Sequence, residues 1–250
     1  MKKLHLAAAI VVSLALASSA QSQRAARPSS AILAAIADPT RPAEDAARDG
    51  GRHPAEITAF AGVRPGLSIV ELAPGGGYYT RILARAVGPR GHVYAVVSPG
   101  FAARPESMAR FQRVVAGYPN VEIVVSDLRT LTMTRRVDMV WTSENYHDFH
   151  NAQGADLAAV NRAVFNLLRP GGVYYVEDHA APGTGTTATS TLHRIDPQAV
   201  RDEVTAAGFR LEAQSPVLAN PADPHTARSN DPSIRGRTDR FAMRFRKPAR

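Results

Sequence analysis

The 250-residue sequence contains no cysteine. That absence excludes disulfides, thiolate zinc sites, iron–sulfur clusters, a cysteine nucleophile and a lipid anchor on cysteine. It does not set a compartment, because a cysteine-free chain folds in reducing and oxidising surroundings alike. The sequence also lacks an internal repeat, and after residue 20 it has no apolar run long enough to span a bilayer. What is present is an ordinary globular mixture, 44% hydrophobic and 21% charged, which argues against a disordered chain. The length suits one domain, or one domain with a tail.

The start of the chain reads as an address. Met1-Lys2-Lys3 is cationic, Leu4 to Ala17 is almost wholly apolar, and Ser18-Ser19-Ala20 places small residues where a signal peptidase reads. The apolar stretch is shorter than the roughly 20 residues a membrane span needs. Residues 1–20 are therefore expected to be a secretory signal peptide, residues 21–37 a linker, and residues 38–250 a single domain outside the cytoplasm, in the periplasm. The formal charge of +8 falls to +6 without the signal, which carries two lysines and no acid.

Beyond the linker, strand and helix signals alternate. Short apolar runs at 67–72, 92–97, 121–125, 137–141 and 173–176 read as five strands. Helical spacing appears at 79–87, 105–117 and 153–168, and Asp196-Pro197 opens a further helix. Residues 209–213 and 241–245 read as two closing strands. Continuous apolar strands separated by helices imply an α/β fold with a mostly parallel sheet covered on both faces. Such sheets bind ligands beyond the carboxyl ends of their strands.

Val70-Glu71-Leu72-Ala73-Pro74-Gly75-Gly76-Gly77-Tyr78 resembles the first motif of class I S-adenosylmethionine-dependent methyltransferases. Ser126-Asp127-Leu128, Asp138 and Leu168-Arg169-Pro170-Gly171-Gly172 follow in the order that family keeps. Pro42-Ala43-Glu44-Asp45, Asn145-Tyr146-His147-Asp148 and Leu192-His193-Arg194-Ile195-Asp196 are similar to segments of a group of exported bacterial predicted methyltransferases. The resemblance implies a Rossmann-like seven-stranded methyltransferase sheet with a closing antiparallel strand, and S-adenosylmethionine as cofactor. It implies that Glu71, Ala73, Gly75, Gly77, Tyr79, Ser98, Asp127, Leu128 and Asn145 bind that cofactor. Two departures stand out. Ala73 replaces the first glycine, and Val96-Val97-Ser98-Pro99 has no acid where the family binds both ribose hydroxyls. Losing a hydrogen bond to a carboxylate weakens binding about 10–100-fold.

Candidate chemistry follows the fourth and fifth strands, at Ser143 to His150 and Glu177-Asp178-His179. A histidine beside a carboxylate can hold the tautomer that takes a proton from a hydroxyl or amine. Tyr146, His147, Asp148 and His179 are thus the candidate catalytic residues, with His147 or His179 as base and Tyr146 shaping the acceptor pocket. Two other readings of the cluster stay open: a divalent metal held by Asp148, Asp178 and a histidine, and a structural network. No metal is included in the expected site. The charged segment Arg41–Asp49 and the following His53–Phe60 read as helices, either covering the acceptor site or presenting a solvated face. The long polar segment 220–238 holds His225 and Arg235, either within reach of a pocket mouth.

Arginines at 240, 244 and 246 alternate with Phe241, Met243 and Phe245, so they read as the outer face of the last strand. With no aromatic platform beside them, a nucleic-acid partner is not expected. An acidic substrate and a weak association with an anionic membrane surface fit the charge better. The reading is an exported methyltransferase acting on oxygen or nitrogen of a small molecule. Its alternatives are a protein of that fold that binds a ligand without methyl transfer, and a metal-dependent enzyme built on histidine and aspartate.

Overall fold

A computed structural model describes residues 27–249. The expected signal peptide at 1–20 lies outside the described residues. Seven strands form one sheet: β1 Ser68–Leu72, β2 His92–Val97, β3 Val121–Val125, β4 Val137–Ser143, β5 Leu168–His179, β6 Arg210–Ser215 and β7 Arg240–Arg246. Their order is β3-β2-β1-β4-β5-β7-β6. β1 to β5 pair in parallel, and β7 runs antiparallel to both β5 and β6. The strand order reverses beside β1, which places a ligand crevice at its carboxyl end.

Eleven α-helices accompany the sheet among the described residues. Four precede β1: α1 Ser30–Ile36, α2 Ala43–Ala46, α3 Asp49–Arg52 and α4 Pro54–Ala61. α5 Tyr78–Val87, α6 Pro99–Ala102 and α7 Pro105–Val115 follow β1 and β2. α8 Tyr146–Asn151 and α9 Leu157–Leu167 lie between β4 and β5, and α10 Thr189–Leu192 and α11 Pro197–Ala206 between β5 and β6. No described helix is long and apolar enough to cross a membrane.

The two-residue period of the strands divides the core between the faces of the sheet. Ile69, Val93, Ala95, Met139, Trp141 and Tyr175 pack with α1, α4 and α5 on one side. Val70, Val96, Val140, Tyr174 and Val176 pack with α9 and α11 on the other. Because both faces are covered, these strands read in sequence as unbroken apolar runs.

Two expectations change. The linker does not reach residue 37, because α1 is capped by the Ser29 hydroxyl and buries Ile32 and Ala35 against the core. The arginines of β7 do not all face outward. Arg240 is buried, 5% exposed, because it stands opposite His179 in register and diagonal to Glu177 on β5. Arg244 and Arg246 pair with Glu212 of β6.

The segment 220–238 is tied down through Arg194, itself fully buried. Its guanidinium holds Asp223 at 2.7 Å and the carbonyls of Ala180 and Ala227. His225 turns to Asp239 at 2.9 Å.

Candidate active site

A cavity of about 690 Å³ opens over the carboxyl ends of β1, β2 and β4. Its floor is the loop between β1 and α5. Gly75 and Gly77 both take positive φ, 57° and 81°. A Cβ on Gly77 would stand 2.7 Å from Val114 Cγ1, so this position needs glycine for space as well as for φ. Ala73 holds φ 49°, the left-handed region that its glycine counterpart enters freely. Ala73 to Gly76 and the first residues of α5 line the cavity, and the positive end of a helix favours negative charge there.

Glu71, at the end of β1, is 3% exposed and accepts a hydrogen bond from Thr80 Oγ1 at 2.6 Å. Burial pushes its carboxyl up to about 7. A cation arriving beside it would favour the ionised form. Asn145 donates to the carbonyls of Leu72 and Ala73 at 3.2 and 2.9 Å and so ties the end of β4 to the glycine loop. Trp141 lines the cavity, and its buried Nε1–H has no partner among the described residues. A buried donor in that state has hydrogen-bonding capacity to offer a bound molecule.

Of the residues expected to bind cofactor, Glu71, Ala73, Gly75, Tyr79, Ser98, Asp127, Leu128 and Asn145 line the cavity. Gly77 sits behind it as the cap of α5. Two of these side chains are already engaged. Ser98 Oγ caps α6 by accepting from the Phe101 amide at 3.1 Å. Asp127 is clamped by Arg129, whose Nη2 lies 2.5 Å from Oδ2, and that hydrogen bond with Arg129 lowers its carboxyl pKa.

The other end of the cavity is charged. Arg52 of α3 pairs with Glu144, and Arg240 reaches Glu144 at 2.6 Å and Glu177 at 3.4 Å. Glu144 holds φ 57°, a strained conformation that turns its carboxylate between the two arginines. Burial would raise the Glu144 carboxyl, but Arg52, with Arg240 behind it, holds it down at about 2. For Glu177, which is fully buried, desolvation wins and the carboxyl rises to about 7. Ser143 Oγ donates to Glu177 at 3.0 Å, Tyr175 at 3.2 Å and Tyr79 at 3.4 Å. Ser143 and Glu144 line the cavity, so this charged layer adjoins any ligand in it.

The helices before β1 form the wall at this end. Arg41 holds Asp49 through two hydrogen bonds at 2.7 and 2.8 Å, and Tyr78 donates to the same carboxylate at 2.6 Å. Arg52 lies 4.7 Å over the Tyr78 ring, and Arg48 and Arg52 line the cavity. Asp45 is only 4% exposed beneath Arg48 and Arg81, so the segment is a docked wall with buried ion pairs.

The expected catalytic residues separate. The pleat of β5 sends Glu177 and His179 toward one face of the sheet and Asp178 to the other. Tyr146 is fully buried among the residues packed on α9, donating to Glu203 and accepting from Asn161, both at 2.8 Å, so it does not shape the cavity. His147 is 2% exposed and off the cavity. Against the effect of burial, Asp178 and Asp148 push its imidazole up to about 10, a value unsuited to a base at neutral pH. His179 bonds Thr238 at 2.8 Å, and burial lowers its pKa. Asp148 alone of the four lines the cavity. Neither His225 nor Arg235 does.

Sequence reasoning missed Arg52, Arg240 and Glu177 as a set. The apolar-run criterion ends β4 at Trp141 and β5 at Val176, yet both strands continue through buried polar residues, Thr142, Glu177 and Asp178.

Comparison with known proteins agrees with this fold. Residues 69–172 match the family described as "Methyltransferase domain". A protein-L-isoaspartate O-methyltransferase of Ignicoccus hospitalis is 38% identical over 74 residues, 29% of this chain, and the chain spans about a third (33%) of that relative's length. An S-adenosylmethionine-dependent methyltransferase from Mesorhizobium loti is similar in structure, with a TM-score of 0.56 and 19% identity over 80% of this chain and 99% of the other. The [4+2]-cyclase SpnF gives 0.59 and 16% identity, over 88% and 92%. Residues 69–172 thus match a methyltransferase domain, and the described chain has the Rossmann-like, seven-stranded fold of S-adenosylmethionine-dependent methyltransferases.

Proposed function

We propose that this protein transfers a methyl group from S-adenosylmethionine to oxygen or nitrogen of a small molecule. The observation that carries the reading is one cavity joining a glycine loop at its floor to a buried acid near neutrality, Glu177, behind Ser143. The residues fit the cofactor: Glu71 offers a carboxylate to a cationic group, the left-handed loop gives close backbone approach, and Asp127 and Leu128, which line the cavity, would hold the nucleoside. S-adenosylmethionine, when bound, supplies an electrophilic methyl on a sulfonium leaving group, so positioning and one base suffice for transfer. The acceptor stands against Ser143 and Glu144. Its hydroxyl or amine proton passes to Ser143 Oγ as the Ser143 proton passes to Glu177 Oε2, leaving Glu177 neutral and the serine unchanged. Arg52 and Arg240 stay charged throughout and keep Glu144 ionised, which fixes the field around the acceptor.

The cavity volume, shared with a nucleoside, supports a small acceptor. We include export in the proposal, supported by the pattern of residues 1–20; mass measurement of the secreted chain should find it beginning at Gln21. The activity is tested by S-adenosylhomocysteine release over a panel of small hydroxyl and amine compounds. Glu177→Gln should lower turnover about 10²–10⁴-fold with cofactor binding retained. Turnover equal to that of the parent protein, with the same dependence on pH near 7, would remove Glu177 from the reaction.

A further inference from the structure

Outside the methyl-transfer cavity, at its rim, three ligand-bearing side chains converge. His147 and Asp148 are consecutive residues of α8, and His193 closes α10 in a left-handed conformation, φ 50°. His147 Nε2 lies 3.3 Å from His193 Nδ1 and 3.3 Å from Asp148 Oδ1, and His193 Nδ1 lies 3.4 Å from the same Asp148 oxygen. These three separations are the edges of a nearly equilateral triangle. For a tetrahedral ion bound at about 2.0–2.1 Å, neighbouring ligand atoms stand about 3.3–3.4 Å apart. The cluster therefore has the dimensions of one face of a tetrahedral metal site.

The surroundings are those of a built site. Asp178, fully buried, accepts from the His147 amide at 2.7 Å and the His179 amide at 2.7 Å. A carboxylate already accepting twice takes a third hydrogen from His147 Nδ1, 2.8 Å away. With the Nδ1 hydrogen held by Asp178, an ion that displaces the Nε2 proton meets a lone pair directed at the cluster, the carboxylate–histidine arrangement that orients metal-bound imidazoles. The two helices are locked together by Asn151 and Thr189, which exchange hydrogen bonds at 3.1 Å. Arg194, the residue after His193, is anchored by its buried pair with Asp223. The Asp148 side chain is 50% exposed and that of His193 33%, so the side of the triangle away from His147 is open to solvent.

We propose that His147, Asp148 and His193 bind one divalent transition-metal ion, with zinc the best match to the geometry. Two neutral imidazoles and one carboxylate are a donor set used by catalytic zinc and by ferrous centres that keep open positions. They neutralise half of the dication's charge, and the remainder attracts water or an anionic group to the open side. Asp148 also lines the cavity, so a ligand of the ion on that side would stand at the cavity mouth. The proposal is independent of methyl transfer, because it is read from metal binding alone.

The test is titration of the untagged full chain with Zn²⁺ by calorimetry and with Co²⁺ by visible absorption. One ion per chain with a Kd below about 1 µM is expected, and Co²⁺ should give absorption bands of a low-coordinate site. His193→Ala and Asp148→Asn, at partly exposed positions where folding is retained, should each weaken binding at least about 100-fold. Asp178→Asn should weaken it about 10–100-fold. Absence of binding at 100 µM metal, about 100-fold above the expected Kd, would overturn the proposal. So would His193→Ala and Asp148→Asn proteins, shown folded by circular dichroism, that bind like the parent.

Discussion

Replacing Glu71 with glutamine should change how stability depends on pH, in a direction the burial of this residue dictates. The Glu71 carboxyl titrates at about 7 in the folded protein against 4.5 for a free side chain. Between those values the folded state holds a proton that the unfolded state has released, so stability falls as pH rises from about 4.5 to 7. A shift of this size corresponds to about 3.5 kcal/mol in all, at roughly 1.4 kcal/mol per pH unit, most of it between pH 5 and pH 8. Glu71→Gln keeps an acceptor for Thr80 and removes the titration. Its buried amide lacks a partner, which costs about 1–3 kcal/mol at every pH and cancels when two pH values are compared. Thermal denaturation at pH 5 and pH 8 should therefore show the variant gaining about 2.5 kcal/mol on the parent protein, or about 5–10 °C in Tm for a domain of this size. A Tm difference between variant and parent that is the same at both pH values would refute the reasoning. The same variant should bind S-adenosylmethionine about 10–100-fold more weakly, because the charge-assisted contact is lost.

Further outcomes follow from the same geometry. Gly77→Ala, which must hold φ 81° with its methyl against Val114, should lose about 2–3 kcal/mol and lower Tm by several degrees in differential scanning calorimetry. Arg240→Met leaves Glu144 and Glu177 facing one another with Arg52 as their remaining close cation, and should cost about 3–5 kcal/mol in urea unfolding at pH 8. Protonation relieves Glu177 in acid, so the loss at pH 5 should be smaller. Tyr146→Phe removes hydrogen bonds to Glu203 and Asn161 and should cost about 1–2 kcal/mol of stability. Calorimetry should find its cofactor affinity equal to the parent's.

The sheet was legible because both of its faces are covered: Ile69 and Val70, or Tyr174 and Tyr175, pack on opposite sides, and the run of apolar residues marks the strand. The glycine loop was legible because positive φ and close packing at Gly77 demand the residue itself. The acceptor end was not. Arg52, Glu144, Glu177 and Arg240 meet across up to 188 residues of sequence through strand register and the docking of α3, and no local spacing carries that information. Alternation shows which residues share a face of β7 and cannot show that Arg240, on the polar face, meets the buried acid Glu177 on β5. The triplet Glu177-Asp178-His179 reads in sequence as one cluster, although the pleat sends Glu177 and His179 to one face of the sheet and Asp178 to the other.

The central claim, that the cavity over β1 takes S-adenosylmethionine, is tested most directly by isothermal titration of the purified protein with that cofactor. The account predicts saturable binding of one molecule per chain below millimolar concentration, weakened about 10–100-fold by Glu71→Gln. No heat of binding up to millimolar cofactor, from protein shown to be folded, would contradict it.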